Sequence, residues 1–130
     1  MDAIFAKGIY EEILIISSEE LQNEMWLNAD SKLVSSYAEV MCSLYDDNLF
    51  EEFVDYGCIK LNFNDSLINN LRKLNIHLKL FKNIGYQHKF DENIINDKNW
   101  LSIIKVAKKI IKNWLNKFRN DYLLSFYNGN

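Results

Sequence analysis

Acidic and aromatic side chains are concentrated between residues 39 and 56, and no lysine or arginine lies between Val34 and Ile59. Such carboxylates could bind a metal ion or act as acid and base in catalysis, but only if two of them converge in a cleft. A solvated helix face is the common explanation. The third possibility is recognition, because carboxylates attract a basic protein and aromatic side chains anchor it. The predicted partner-binding residues are Glu39, Tyr45, Asp46, Asp47, Glu51, Glu52, Asp55 and Tyr56.

The remaining residues that could do chemistry do not form a recognisable site. His77 and His88 are the only histidines, and neither has a second histidine or a cysteine three or four residues away. The serines lack a G-x-S-x-G context, and the four glycines form no phosphate-binding loop. Cys42 and Cys58 form no CxxC motif, so we expect both to be reduced and partly buried. The sequence predicts no metal, no cofactor and no enzymatic activity.

Charge is divided unequally along the chain. Residues 1–65 hold fourteen acidic residues and three lysines, a net charge of −11, whereas residues 66–130 hold twelve basic and four acidic residues, a net charge of +8. We expect the two halves to pack against each other, and any patch left uncovered to steer a partner of opposite charge. The overall net charge of −3 argues against direct binding of nucleic acid.

Residues 97–118 carry the strongest helical pattern, with Asp97 as the N-cap. The apolar face comprises Trp100, Ile103, Ile104, Ala107, Ile110, Ile111, Trp114, Leu115 and Phe118. The opposite face carries Lys98, Lys105, Lys108, Lys109, Lys112, Lys117 and Arg119. This basic face requires either solvent or an acidic neighbour.

Helical spacing also predicts elements before this helix. A first helix is expected over residues 2–16, and Ser17 with Glu20 matches a capping box that begins a short helix ending near residue 27. A third helix should run from an N-cap at Asp30 or Ser31 to residue 46. Its inward-facing Tyr37 is expected in the core.

A short helix capped by Asp47 or Asn48 should follow and end at Gly57 in the left-handed conformation. Phe50 and Phe53 are expected in its core, and Tyr45 and Tyr56 on the surface. Residues 59–63 alternate apolar and polar side chains, which predicts a brief strand or an extended linker. A cap among residues 64–66 should begin a long helix that ends at Gly85. A surface loop is expected over residues 86–96, with residues 94 and 95 packed into the core.

Together these patterns predict an all-α protein: a compact single-domain bundle of about five helices over residues 1–130, with at most one very short strand. Proline is absent from the 130 residues. Acidic residues flank the N-terminal apolar run, unlike a secretory signal. The uninterrupted apolar run at 13–16 is far shorter than the roughly twenty residues that cross a membrane. We therefore expect a cytoplasmic protein with no membrane partner.

Two segments carry a family resemblance. Residues 36–47 read SYAEVMCSLYDD and are followed by Phe50, Phe53 and Val54; the second segment comprises Ile94, Ile95, Asn96 and Asp97 leading to Trp100, with Ile110 and Trp114 beyond. This pattern resembles small immunity proteins of the contact-dependent growth inhibition or polymorphic-toxin class in bacteria. The resemblance covers about residues 21–114.

The resemblance implies a protein without enzymatic activity that binds the toxin domain of its cognate effector in the cytoplasm and blocks the toxin's active site. Many such toxins are nucleases with basic clefts, which an acidic surface would fit. Two alternatives stay open at this point. A helical adaptor or regulatory module could bind another basic protein through the same surface, and a small enzyme would need carboxylates or a histidine converging in a pocket away from solvent.

Overall fold

The computed structural model describes residues 3–28, 35–88 and 90–127, with side chains described as far as residue 117. All the regular structure in these residues is helical, and they contain no strand. The all-α prediction is confirmed, although the described residues form seven continuous helical segments rather than about five. They are α1 (Ala3–Ser17), α2 (Glu19–Gln22 and Asn23–Leu27), α3 (Tyr37–Cys42 and Ser43–Asp47), α4 (Phe50–Glu52, Phe53–Gly57 and Cys58–Lys60), α5 (Asp65–Gln87), α6 (Asp91–Ile95) and α7 (Lys98–Tyr127).

Three of these segments contain a wider, π-helical turn. The π-helical turns are Asn23–Leu27 in α2, Ser43–Asp47 in α3 and Phe53–Gly57 in α4. Two of these turns are marked by a backbone hydrogen bond between residues five positions apart. In α3, for example, the Asn48 N–H donates to the Ser43 carbonyl at 2.9 Å. An extra residue in a turn rotates every later side chain relative to a regular α-helix, so a spacing of three and four no longer identifies one face.

Short polar side chains begin several helices. Ser18, not Ser17, caps α2 by accepting the Leu21 N–H at 3.1 Å, whereas the Ser17 hydroxyl donates back to the Leu14 carbonyl at 2.7 Å. Ser36 caps α3, and the predicted caps Asp30 and Ser31 lie outside the described residues. Asn64 caps α5 by accepting the Leu67 N–H at 2.8 Å, which confirms the cap expected among residues 64–66.

The predicted ends of α4 and α5 are wrong. Gly57 is helical, with φ −61°, and α4 continues to Lys60; the left-handed residue that ends this region is Asn62, with φ 59°. The predicted strand at 59–63 is therefore absent, because the Phe63 N–H bonds to the Cys58 carbonyl instead of a neighbouring strand. Helix α5 runs two residues past Gly85, where a Cβ atom would lie 2.6 Å from the Tyr37 hydroxyl oxygen.

The expected surface loop over 86–96 contains helix α6. Ile94 in this helix is buried and Ile95 packs against the core, as predicted. A five-residue helix has too few turns for its periodicity to be visible in the sequence.

Helix α7 packs along α1 and α5 and contributes more buried apolar side chains to the core than any other described helix. Its apolar face is buried from Trp100 to Trp114, as predicted. Leu115 is an exception, because 47% of its surface is exposed, and the side chain of Phe118 lies outside the described residues. Aromatic rings surround the two tryptophans: Trp114 stacks on Phe53 at 5.8 Å, and Trp100 meets Tyr37 edge-on at 5.6 Å. Phe50, Phe53 and Tyr37 are buried, which confirms their placement in the core.

A fully buried glutamine joins three helices around Trp100. The Gln22 amide nitrogen donates to the carbonyl oxygens of Ile15 and Ile16 at 3.0 and 2.9 Å, and its amide oxygen accepts the Trp100 indole N–H at 3.0 Å. The end of α1 has free carbonyls that need a donor. Gln22 supplies that donor and simultaneously fixes the position of α7.

A side-chain hydrogen bond closes the connection between α5 and α7. His88 Nε2 lies 3.0 Å from Asp97 Oδ2, and the other Asp97 oxygen accepts the Asn99 N–H at 2.8 Å. Asp97 therefore caps α7, as predicted. The hydrogen bond from His88 is the main cause that lowers the pKa of the Asp97 carboxyl.

Replacing Gln22 by leucine should lower the free energy of unfolding by about 3 kcal/mol, because buried carbonyls and the Trp100 indole N–H would lose their partners. Urea denaturation measures this change. Gln87→Leu makes the same chemical change at an exposed position near the end of α5 and should alter stability by less than about 0.5 kcal/mol. Equal losses in the two variants would contradict the role given to Gln22.

Asp97→Asn should destabilise the protein by about 1 kcal/mol at neutral pH. A carboxyl whose pKa is lowered on folding contributes stability above its unfolded pKa, and this contribution disappears as the pH falls through the folded value. The difference between wild type and variant should therefore shrink below about pH 4. Denaturation curves from pH 7 to pH 3 measure it, with the exposed Glu92→Gln as the control. If the stability difference between wild type and Asp97→Asn did not depend on pH, the stabilising role of the ionised Asp97 carboxylate would be contradicted.

Candidate functional site

An open groove of about 400 Å³ lies between the α3–α4 segment and α5. Its buried apolar lining includes Tyr37, Met41 and Leu78. Exposed carboxylates from α3 and α4 line one side, and exposed ammonium groups from α5 line the other. The charged lining residues are Asp46, Glu51, Glu52, Lys79 and Lys82. The groove therefore combines an apolar surface with charges of both signs.

A left-handed residue positions the acidic side of the groove. Leu49 separates α3 from α4 with φ 53° and ψ 54°, a conformation that glycine and asparagine adopt far more readily than leucine. The neighbouring Asn48 amide donates to the Ser43 carbonyl at 2.8 Å and holds the turn. The predicted capping role of Asp47 or Asn48 is therefore wrong, because α4 begins after Leu49 without a side-chain cap.

The six acidic residues predicted for partner binding all lie on the surface. Glu39, Asp46, Asp47, Glu51, Glu52 and Asp55 are exposed. Glu51 forms an ion pair with Lys79 of α5. The other five form no ion pair within the part of the chain that the structure describes. We call these six carboxylates the acidic surface.

The two tyrosines of the predicted site differ in exposure. Tyr56 is 67% exposed beside Asp55, as expected for a surface residue. Tyr45 is half-buried, and its hydroxyl donates to the Asn75 amide oxygen at 2.8 Å. Burial, assisted by the charge of Glu51, raises the pKa of Tyr45. The predicted surface position of Tyr45 is therefore wrong, because Tyr45 follows Tyr37 and Met41 at four-residue spacing into the groove and α5 packs over it there.

Two carboxylates outside the predicted set extend the acidic surface. Glu12 of α1 accepts the Ser43 hydroxyl at 3.0 Å; burial raises its pKa, and the charges of Glu11 and Asp47 raise it further. Burial likewise raises the pKa of Asp91, and Glu39 adds to the effect. Helical spacing places Glu12 beside the buried Ile9, Ile13 and Ile16, but its approach to α3 depends on tertiary packing and gives no signal in the sequence.

The groove also contains residues that sequence reasoning missed. Lys79 and Lys82 follow the buried Leu78 on α5, so helical spacing identifies them as polar but does not indicate which helix they face. Cys42 is an exposed free thiol at the groove, whereas Cys58 is buried and donates to the Val54 carbonyl at 3.2 Å. Both cysteines are free thiols, as expected, but neither is partly buried, because Cys42 is exposed and Cys58 is completely buried.

The described residues contain no group of three or more histidine, cysteine or acidic side chains arranged to hold a metal ion. His88 is engaged with Asp97, and His77 is half-buried on α5. None of the described helices has the length and apolar character needed to span a membrane.

The basic face of α7 is exposed. Lys98, Lys105, Lys108, Lys109 and Lys112 are exposed and form no ion pair with a described carboxylate. Of the two explanations considered for this face, solvation agrees with its geometry. Among the described residues, the ion pair that joins the oppositely charged halves of the chain is Glu51–Lys79.

Comparison of the chain with protein-family models, curated proteins and solved structures finds no match.

Substitutions at Leu49 should test the strain in the turn beside the groove. Leu49→Gly should be more stable than Leu49→Ala by about 1 kcal/mol, because both lose the leucine side chain but only glycine relaxes at positive φ. Thermal or urea denaturation measures the difference. At the exposed helical position Ala38, glycine should instead be less stable than alanine by a similar amount. If the alanine variant were the more stable one at both positions, the left-handed conformation of Leu49 would be contradicted.

Proposed function

We propose that this chain is a bacterial immunity protein that binds and neutralises the toxin domain of its cognate effector in the cytoplasm. The toxin would be a nuclease, and the acidic surface would occupy its basic substrate cleft. The protein would act by binding, without a reaction of its own. The proposed contacts are Glu39, Tyr45, Asp46, Asp47, Glu51, Glu52, Asp55 and Tyr56.

The observation that carries this proposal is the exposure of the acidic surface. Five of its six carboxylates stay unpaired within the described residues, although the chain has an excess of positive charge in its second half. Unpaired charges accelerate encounter with a partner of opposite charge, by up to two or three orders of magnitude at low salt. A cleft that binds the phosphates of nucleic acid presents such a charge.

Apolar side chains beside these charges supply the second requirement of a protein interface. Tyr56 and Ile59 lie three residues apart on α4, and 67% and 51% of their respective surfaces are exposed. Residues of this kind stabilise a complex when they become desolvated, and tyrosine is among the side chains most often found to do so. Tyr45 contributes differently, because it lines the groove and is fixed by Asn75.

The open shape of the groove favours binding over catalysis. An acid–base pair in a small enzyme should converge in a pocket that excludes water. The carboxylates at this groove are exposed, and Glu51 is held by Lys79. This arrangement supports a contact surface for another protein.

The decisive experiment measures binding to the protein encoded by the adjacent open reading frame. Isothermal titration calorimetry should give an affinity that falls about ten-fold or more when the ionic strength rises from about 0.05 to about 0.5 M. The double variant Asp47→Lys with Glu51→Lys should bind at least about ten-fold more weakly, because it reverses two charges of the acidic surface. It should also fail to protect cells that express the toxin.

The matched control is Glu19→Lys with Glu20→Lys, which reverses two exposed charges on α2 outside the acidic surface. It should retain affinity within about three-fold. An affinity unaffected by salt and by reversal of Asp47 and Glu51 would contradict the electrostatic basis of the proposal. Binding to an unrelated basic protein, with none to the adjacent gene product, would instead indicate an adaptor.

A further inference from the structure

A cationic group already occupies the acidic side of the groove. Lys79 extends from α5, and its ammonium pairs with the Glu51 carboxylate, so the two walls of the groove meet at this point. Both side chains are half-exposed, at 55% for Lys79 and 49% for Glu51. An ion pair this exposed is weak and exchanges readily with other ions or with water.

The surroundings of this pair resemble a binding site for a side chain with a positive tip and an apolar stem. Asp46 and Glu52 also line the groove and are exposed and unpaired within the described chain. Met41 and Leu78 supply apolar lining, against which the methylene groups of a lysine or arginine could pack. The groove is therefore suited to such a side chain from a second protein, and Lys79 shows where its charge would lie.

We propose that Lys79 is an internal competitor for the partner: in the free protein its ammonium occupies the position on Glu51 that a lysine or arginine of the partner takes in the complex. This inference rests on the proposed function, since it assumes that the acidic surface binds a basic protein. It identifies Glu51 as the residue that contacts the partner's cation, and the Lys79–Glu51 pair as a limit on the affinity for the partner. The partner has to displace Lys79 before it can pair with Glu51.

Lys82 offers a matched control for the charge of Lys79. It lies on the same helix and lines the same groove, and it is exposed without an ion pair among the described residues. Removing either lysine removes one positive charge that repels a basic partner. Only removal of Lys79 also frees Glu51, so the difference between the two variants isolates the competition.

The test uses a fluorescein-labelled peptide of alternating arginine and leucine residues as the probe, and the full-length chain. Fluorescence anisotropy near physiological ionic strength should show that Lys79→Gln binds about two- to five-fold tighter than wild type, the range expected from losing a surface ion pair. Lys82→Gln should gain less than about two-fold. In a Glu51→Gln background, Lys79→Gln should gain no more than Lys82→Gln.

Cys42 provides a second readout of the same site. It lines the groove as an exposed thiol, whereas Cys58, the other cysteine, is buried. Bound peptide should slow the reaction of Cys42 with a thiol reagent, and at equal peptide concentration the slowing should be greater in Lys79→Gln than in wild type. Lys79→Met keeps the apolar stem without the charge and should reproduce the effect of Lys79→Gln.

The outcomes separate this inference from the proposed function. Salt-sensitive binding of the peptide with equal gains from Lys79→Gln and Lys82→Gln would overturn the competition and leave the acidic surface supported. Weaker binding by Lys79→Gln would also overturn it, because Lys79 would then assist the partner. Absence of peptide binding, or binding unaffected by salt and by Glu51→Gln, would overturn both this inference and the electrostatic basis of the proposed function.

Discussion

Burial of the apolar face of α7 is the constraint on which the rest of the structure depends. Trp100 and Trp114 are fully buried fourteen residues apart, so the helix needs packing partners along about four turns. Helices α1 and α5 provide most of that cover, and rings from α3 and α4 contact the tryptophans. Burial of an indole N–H is less costly when the group has an acceptor, and for Trp100 that acceptor is the Gln22 amide oxygen. A hydrophobic requirement thus leads directly to one specific polar contact between α2 and α7.

The same constraint explains which parts of the fold could be predicted from the sequence. The long helices α1, α5 and α7 have enough turns for their apolar residues to reveal a period, and each begins within one residue of its predicted start. Helices α5 and α7 end later than predicted, at Gln87 and Tyr127. Helix ends were less predictable, because neighbouring residues of similar chemistry compete for one role. Ser18 caps α2 although Ser17 has the same hydroxyl, and Asn62 takes the left-handed conformation expected of Gly57. Tertiary packing decides between such neighbours.

Some features of the candidate site likewise follow from the local sequence, whereas others depend on tertiary packing. Exposure of its carboxylates could be predicted, because six acidic groups within seventeen residues cannot all be desolvated. The half-burial of Tyr45 could not be predicted, since its cover comes from Asn75 of α5, thirty residues further along the chain. The ion pair between Glu51 and Lys79 could not be predicted either. These residues are twenty-eight positions apart in the chain and meet only because α5 packs beside α4.

The two signs of charge lie largely apart on the described surface. Like charges on the acidic surface repel one another. Burial is the main cause of the raised pKa values of Glu12 and Asp91, and the charges of Asp47 and Glu39 add to it. The lysines of α7 could relieve that repulsion if the chain placed them nearby, yet five of them are exposed on their own helix without a described carboxylate partner. The separation of these charges leaves an electronegative surface beside an apolar groove, which is the combination on which the proposed binding of a basic protein depends.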